Sequence, residues 1–127
     1  MEQINIKYNC DEVSKNFIQY FYNSWLNNPH DLLHTIISQR SKFKYNSIIY
    51  EYTDIIILLN QLKSNGLEIS ISKYEILDSK SRQIYILVKG IIKNSQSTNN
   101  FDQTFVLIHI GKGNNQWNLI NSILIIE

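Results

Sequence analysis

His30-Asp31-Leu32-Leu33-His34 sets two histidines one helical turn apart with a carboxylate beside the first, a spacing like that of the H-E-x-x-H zinc helix. Aspartate is one carbon short of the glutamate that acts there as general base, and the remaining histidine, His109, is far along the chain. Pro29 also puts His30 in a frayed first turn, so no metal site is expected and Asp31 reads as a favourable charge at a helix start. Cys10 would need a histidine to act as a nucleophile, and none is near in sequence. Arg40, Lys42 and Lys44 alternate beside Tyr45, a pattern that can meet phosphates. With 12 basic against 11 acidic residues and a formal charge of +1, however, the chain has no global field for nucleic acid. The run reads instead as a strand edge blunted by charge. Isomerase or dehydratase chemistry would need a carboxylate or histidine pointing into an apolar interior. If Phe101, Gln103, Phe105 and Leu107 face the helices, His109 ends the same row and forms the inward pair with Tyr20 or Tyr22. Gln103 reads as a hydrogen-bonded core amide. No catalytic residue, metal or cofactor is expected.

The elements that would position these groups fit one domain, residues 1–127. Ile, Leu, Val and Phe supply 43 residues, about a third of the chain, enough for a packed core. The longest apolar runs, Ile55–Leu59 and Ile84–Val88, are five residues each, against ~18 for a membrane helix. No secretory signal is read at the N-terminus, and the single cysteine suits an intracellular protein. The 23 Ile and 16 Asn with no Ala are a compositional bias without functional meaning.

Asn9 and Glu12 have the spacing of a capping box. Val13, Phe17, Phe21, Ser24 and Trp25 then recur at helical spacing, widened by Ile18, Tyr20 and Tyr22. Asn28-Pro29 predicts the start of a second helix buried through Leu32, Leu33, Ile36 and Ile37. A short strand is expected over Ser41–Asn46. A third helix is expected over 53–63, with Thr53 as cap and Asn65-Gly66 as stop. In the second half, Leu67, Ile69 and Ile71 alternate and the parity then switches to Tyr74 and Ile76, which predicts a bulge near Lys73. Strands over Arg82–Ile92, Phe101–Ile110 and Gln116–Ile126 follow, with Lys93–Asn100 as an eight-residue loop. These strands are apolar on both faces, so both need cover. Three helices cover one face, and a partner chain is expected on the other.

This order of elements resembles the nuclear transport factor 2 family. Phe17-Ile18-Gln19-Tyr20-Phe21-Tyr22 is similar to the family's first-helix signature F-[IV]-x-x-[YF]-Y, and Phe101-Asp102-Gln103-Thr104-Phe105-Val106-Leu107 to its strand motif F-x-Q-x-F-x-L. Trp117 with Asn121 matches the start of its last strand, and Gly90 sits where the preceding strand often has glycine. The resemblance implies an α+β, cone-shaped fold, with three N-terminal helices packed on a strongly bent, mostly antiparallel sheet. Its members include a carrier of GDP-bound Ran, the small partner subunit of the mRNA export receptor, a peptide-docking module of stress-granule proteins, and enzymes. The Ran carrier's acidic residues are missing: Asn46 follows Tyr45, the 93–100 loop has no carboxylate, and Ser122 replaces the final Asp. Ile4-Asn5-Ile6-Lys7-Tyr8 resembles the export subunit instead.

The resemblance therefore implies a non-catalytic transport factor of nucleus, nuclear pore and cytoplasm, a small partner subunit in mRNA or protein export. A Ran carrier, a peptide-binding dimer module of stress-granule type and, after these, a small isomerase- or dehydratase-like enzyme remain the alternatives. By alternation and by the family's pairing surface, Tyr85, Leu87, Thr104, Val106, Ile123 and Ile125 form a homodimer or heterodimer interface. Phenylalanine–glycine nucleoporins and an mRNA export receptor are the further partners implied; Ran, membrane and direct nucleic-acid contact are not expected. The family's docking tryptophan aligns with Cys10, which leaves Tyr8 as the ring for nucleoporin repeats.

Overall fold

The computed structural model describes residues 9–63, 66–80, 82–110 and 116–127; Tyr8 lies outside them. Helix α1 spans Cys10–Asn27, and Asn9 Oδ1 accepts from the Glu12 N–H at 3.1 Å, satisfying one of the free donors of the first turn. Phe17, Ile18, Phe21, Tyr22 and Trp25 are buried on one side of it. Tyr20 is not part of that stripe: it is exposed, and its hydroxyl shares a 2.6 Å hydrogen bond with Thr35.

The expected second α-helix is instead a six-residue 3-10 helix, Pro29–His34. The N–H groups of Thr35, Ile36 and Ile37 all point at the Leu32 carbonyl, so the chain turns there rather than continuing. Ile36 and Ile37 are still buried, but in the turn that follows. The Asn28 side chain does not cap the turn; its Nδ2 donates to Asp31 Oδ1 at 3.2 Å.

Strand β1, Lys42–Tyr45, is followed by an unforeseen β2, Ile48–Glu51. Between them Asn46 and Ser47 both have positive φ, 52° and 69°, the conformation of a tight two-residue hairpin turn. Helix α2 spans Thr53–Lys63 and buries Ile55, Ile56, Leu58 and Leu59. Gly66 has a left-handed φ of 71°; Asn65, expected with it as the stop of this helix, lies outside the described residues.

Strands β3 (Glu68–Lys80), β4 (Gln83–Lys93), β5 (Thr98–His109) and β6 (Trp117–Ile126) complete a six-stranded sheet of order β2-β1-β6-β5-β4-β3. All neighbours are antiparallel except β1 and β6. The expected bulge is present, with a register shift between Ile71 and Lys73; a second, at Ile76/Asp78, was not foreseen. Half of the predicted loop 93–100 is strand: β4 and β5 pair to Lys93–Thr98, and the Asn94 side chain accepts from the N–H groups of Gln96 and Ser97 to close a turn over 94–97. Bulges bend a sheet, and the curved sheet holds α1, α2 and the 3-10 helix against its concave side, around a core that includes Phe17, Phe21, Trp25, Phe43, Phe101 and Phe105.

Candidate functional site: the outer face of the sheet

Alternation on β4, β5 and β6 sends one row of side chains to the helices and the next away from them. Ile84, Ile86 and Val88, then Phe101, Gln103, Phe105, Leu107 and His109, are buried on the inner side. Tyr85, Leu87, Thr104 and Val106 face the other way and are half-buried, while Ile123 and Ile125 are 38% and 54% exposed. The registers bring all six together. Tyr85 lies opposite Val106 and Val106 opposite Asn121; Leu87 lies opposite Thr104 and Thr104 opposite Ile123. Ile125 lies opposite Asp102, whose carboxylate takes the Lys89 ammonium at 3.2 Å. Lys44, opposite Ile123, and Glu75, opposite Leu87, extend the face to β1 and β3. These two were missed because a lone charge on a strand carries no sign of which surface it borders. The patch has an apolar centre and a charged margin, as docking surfaces do.

The concave side is occupied by aromatic rings. Phe105 meets Phe17 and Phe21 edge-on, with ring centroids 5.3 and 5.0 Å apart, and Tyr22 packs on Trp25 and Phe101. Among them runs a buried polar chain. The Tyr22 hydroxyl donates to Gln103 Oε1 at 2.7 Å, Gln103 Nε2 donates to Ser122 Oγ at 3.0 Å, and Ser122 donates to the Thr104 carbonyl at 2.7 Å. Burial raises the Tyr22 phenol well above its ordinary value, so it stays a protonated donor. Ser122 is enclosed in this chain, so its hydroxyl serves the core rather than a surface for Ran.

The other chemical candidates fall apart from one another. His109 packs its ring on Trp117, centroids 5.0 Å apart, six residues beyond Gln103 on β5, or about 20 Å along a strand. Tyr22 is therefore not its partner, and neither is Tyr20. His30 and His34 stack edge-on at 5.6 Å on the exposed 3-10 turn. Among the described residues, no group of three or more His, Cys, Asp or Glu side chains is placed to hold a metal ion. The Cys10 thiol points at Ser79 Oγ, 3.4 Å away. Lys42 is bonded to Glu51 across the β1–β2 hairpin. A cleft of about 280 Å³ opens at the bend beside Ser72, Lys89, Gly90, Phe101 and Asp102, at the far end of β5 from His109. No helix among the described residues is long and apolar enough to cross a membrane.

No protein-family model and no curated protein sequence matches the chain. Solved structures do. Nuclear transport factor 2 from Cryptosporidium parvum superposes with a TM-score of 0.81 at 19% identity, covering 98% of this chain and 100% of its own. The yeast UBP3-associated protein Bre5, also solved as a cofactor complex with that deubiquitinase, gives 0.76 at 16% identity over 92% and 95% of the two chains. A ketosteroid isomerase-like protein of Shewanella frigidimarina gives 0.74 at 10% identity over 92% and 98%. Such identities speak for fold and not for activity. The chain has the nuclear transport factor 2-like fold, a curved, mostly antiparallel six-stranded sheet with helices on one side, common to a transport factor, a deubiquitinase-associated protein and an isomerase-like protein.

Proposed function

We propose that the chain is a non-catalytic nucleocytoplasmic transport factor, a small partner subunit in export of mRNA or protein, acting in nucleus, nuclear pore and cytoplasm. One observation carries this: the apolar outer face of β4, β5 and β6 is left open while the helices cover only the concave side. Apolar surface of that kind is stabilised by burial against another chain. The likeness to the C. parvum transport factor, together with the first-helix and F-x-Q-x-F-x-L motifs, supports a role in transport. A binding role also suits the interior, where Gln103 spends its amide on Tyr22 and Ser122. The partners are a second subunit, an mRNA export receptor and phenylalanine–glycine nucleoporins.

Affinity capture from native cell extract, identified by mass spectrometry, tests this directly. Recovery of an RNA-export receptor and retention of the complex on a multivalent phenylalanine–glycine resin are expected, since many weak repeats act together through effective concentration. Complete loss of retention would refute the pore role. A second reading, a peptide-docking module serving another enzyme or scaffold, is favoured by the likeness to Bre5, a protein solved with its deubiquitinase. Capture of such a partner without nucleoporins would select it. For Ran, the neutral 94–97 turn and Asn46 in the β1–β2 hairpin offer no acids, so calorimetry with GDP-bound Ran should give no measurable heat of binding; low-micromolar affinity would restore the import carrier.

A further inference from the structure

We infer that the free edge of β2 takes up an extended segment of another protein as a further strand, antiparallel to β2, with a basic residue opposite Glu51 and an aliphatic one opposite Ile49. This is a second binding surface, made by the backbone margin of the sheet and not by its outer face. In the order β2-β1-β6-β5-β4-β3 the two edges are β2 and β3. Strand β3 is guarded as edges usually are: Glu68, Lys73, Glu75, Asp78 and Lys80 lie along it, and two register shifts break its line. The charges expected to blunt an edge, Lys42 and Lys44, stand instead on β1, an interior strand. Strand β2 has no lysine, proline or register shift, and Ile48 and Ile49 are 55% and 59% exposed along it. Its one charge, Glu51, is held by Lys42. Its guard is its length of four residues, which suits a short motif.

The hairpin decides which backbone groups are free. With positive φ at both Asn46 and Ser47, the closing pair Tyr45 and Ile48 exchanges both hydrogen bonds, and bonded and non-bonded pairs alternate from there. Ile48 and Tyr50 therefore spend their N–H and C=O groups on Tyr45 and Phe43. Those of Ile49 and Glu51 point away from β1, and among the described residues no other strand pairs with β2. An antiparallel segment that meets these two residues gains about four hydrogen bonds. Both ends of β2 are tied down, by the Asn46-Ser47 turn and by α2 from Thr53, so docking orders the incoming segment and little of the receptor.

Charge and face choose the occupant. Ile49 and Glu51 share the outer side of the sheet with Lys44 and Lys42, whereas Ile48 and Tyr50 share the inner side with Tyr45 and Phe43. Glu51 gives Oε2 to Lys42 and keeps Oε1, and Asp54, exposed just beyond it, is in no ion pair among the described residues. The Glu51 end of the edge is thus acidic and the Ile48 end aliphatic. Read from its N-terminus, the segment is a basic residue, any residue, then two of Val or Ile, set against Glu51, Tyr50, Ile49 and Ile48 in turn. A second copy of β2 laid antiparallel on this edge could set only Ser47, Ile49 or Glu51 opposite Glu51, none of them a cation. The edge therefore fits a foreign segment better than its own copy.

NMR titration of the full chain with the end-blocked peptide Ser-Lys-Thr-Val-Ile-Ser tests this. A dissociation constant of about 0.1–1 mM is expected, the range of a few net hydrogen bonds and two aliphatic contacts. At saturation the amide protons of Ile49 and Glu51 should exchange with solvent about tenfold more slowly, because they gain partners. Methylating the peptide's valine nitrogen, which faces β2, should weaken binding by about tenfold or more; methylating the isoleucine nitrogen, which faces solvent, should change it by less than about threefold. Replacing the peptide's lysine by glutamate should weaken binding about fivefold, and Ile49→Lys, an exposed change that guards the edge, about tenfold. No change at the Ile49 and Glu51 amides up to about 5 mM peptide, or equal loss on methylating either nitrogen, overturns the inference. So does protection of these two amides that rises with protein concentration alone, which assigns the edge to a second copy. Each of these results leaves the outer face and the proposed function standing, since none depends on Leu87 or Ile123.

Discussion

Gln103→Leu should destabilise the fold by about 2–3 kcal/mol, through hydrogen bonds rather than volume. The amide is fully buried and engaged at both ends, accepting from Tyr22 at 2.7 Å and donating to Ser122 at 3.0 Å. Ser122 keeps its bond to the Thr104 carbonyl, so the larger loss falls on the Tyr22 hydroxyl, stranded in the core. A stranded buried hydroxyl costs about 1–3 kcal/mol and the lost bond itself about 1; the apolar leucine returns part of this. Tyr22→Phe breaks the same bond from the other side and strands Gln103 Oε1 instead. With both changes the phenyl ring faces leucine and no polar atom of that pair is stranded. The double variant should therefore cost less than the sum of the singles by about 1 kcal/mol or more. Equilibrium urea unfolding at fixed protein concentration, followed by the fluorescence of the buried Trp25 and Trp117, reads these costs. Costs that add within ~0.3 kcal/mol, or a Gln103→Leu cost under ~0.5 kcal/mol, would mean the amide does not hold Tyr22. The inner face would then carry a polar group free for a ligand.

Gly90→Ala should cost about 3 kcal/mol and about 10 °C in Tm, because its Cβ would lie 2.3 Å from the Ser70 carbonyl oxygen and 2.8 Å from Phe101; a loss under ~1 kcal/mol in a calorimetric melt would contradict that contact. Ile123→Glu, at an exposed position, should yield monomer or aggregate in light scattering, with any fall in melting temperature limited to the stabilisation that association supplies, and parental behaviour would argue against the outer face as an interface. Alkaline stability should report Tyr22. Its phenol is raised above 10.0 by burial, so above about pH 10 the unfolded chain gives up a proton that the folded one keeps. Stability from this group is then complete below pH ~10 and falls by up to about 1.4 kcal/mol per unit as pH rises toward the folded value. The Tyr74 phenol is also raised, by desolvation and then by its bond to Asp11, but it titrates alike in parent and Tyr22→Phe, so the difference between their pH profiles isolates Tyr22. Superimposable profiles would contradict the assignment.

The strands that carry the face were legible because β4 and β5 alternate strictly between the two sides, as does β6 beyond a parity change at Ile120, and a two-residue period assigns a face without any knowledge of neighbours. The parity change between Ile71 and Tyr74 marked the first bulge for the same reason. Strand β2 escaped because it is exposed almost throughout, so Ile48, Ile49 and Tyr50 show no alternation; its signal was the Asn46-Ser47 pair, a turn dipeptide read as the end of a strand. The 3-10 helix was read as α because Leu32, Leu33, Ile36 and Ile37 have α spacing, although Ile36 and Ile37 reach the core from the turn that follows it. Strand residues Thr98, Asn99 and Asn100 looked like loop because polar side chains at a sheet margin leave no pattern. For the interior, alternation put Gln103 on the concave side but could not name Tyr22 or Ser122 as its partners. Those contacts depend on how α1 lies across the sheet, which spacing along one element does not encode.

The parallel pairing of β1 with β6 has a consequence for how the chain is made. Strands β3, β4 and β5 are consecutive neighbours and can zip as a meander from local contacts, whereas Lys42–Tyr45 must wait for Asn121–Leu124 to complete its pairing. Long-range closure of this kind is slow, because the loop entropy is lost before the contacts form. During synthesis the strand that unites the two parts of the sheet is therefore the last of them to leave the ribosome. Until then a half-built sheet presents apolar residues on both sides and an unpaired β5 edge, the kind of intermediate that aggregates or engages chaperones. Variants that weaken β6 should accordingly reduce yield in cells more than their equilibrium stability suggests.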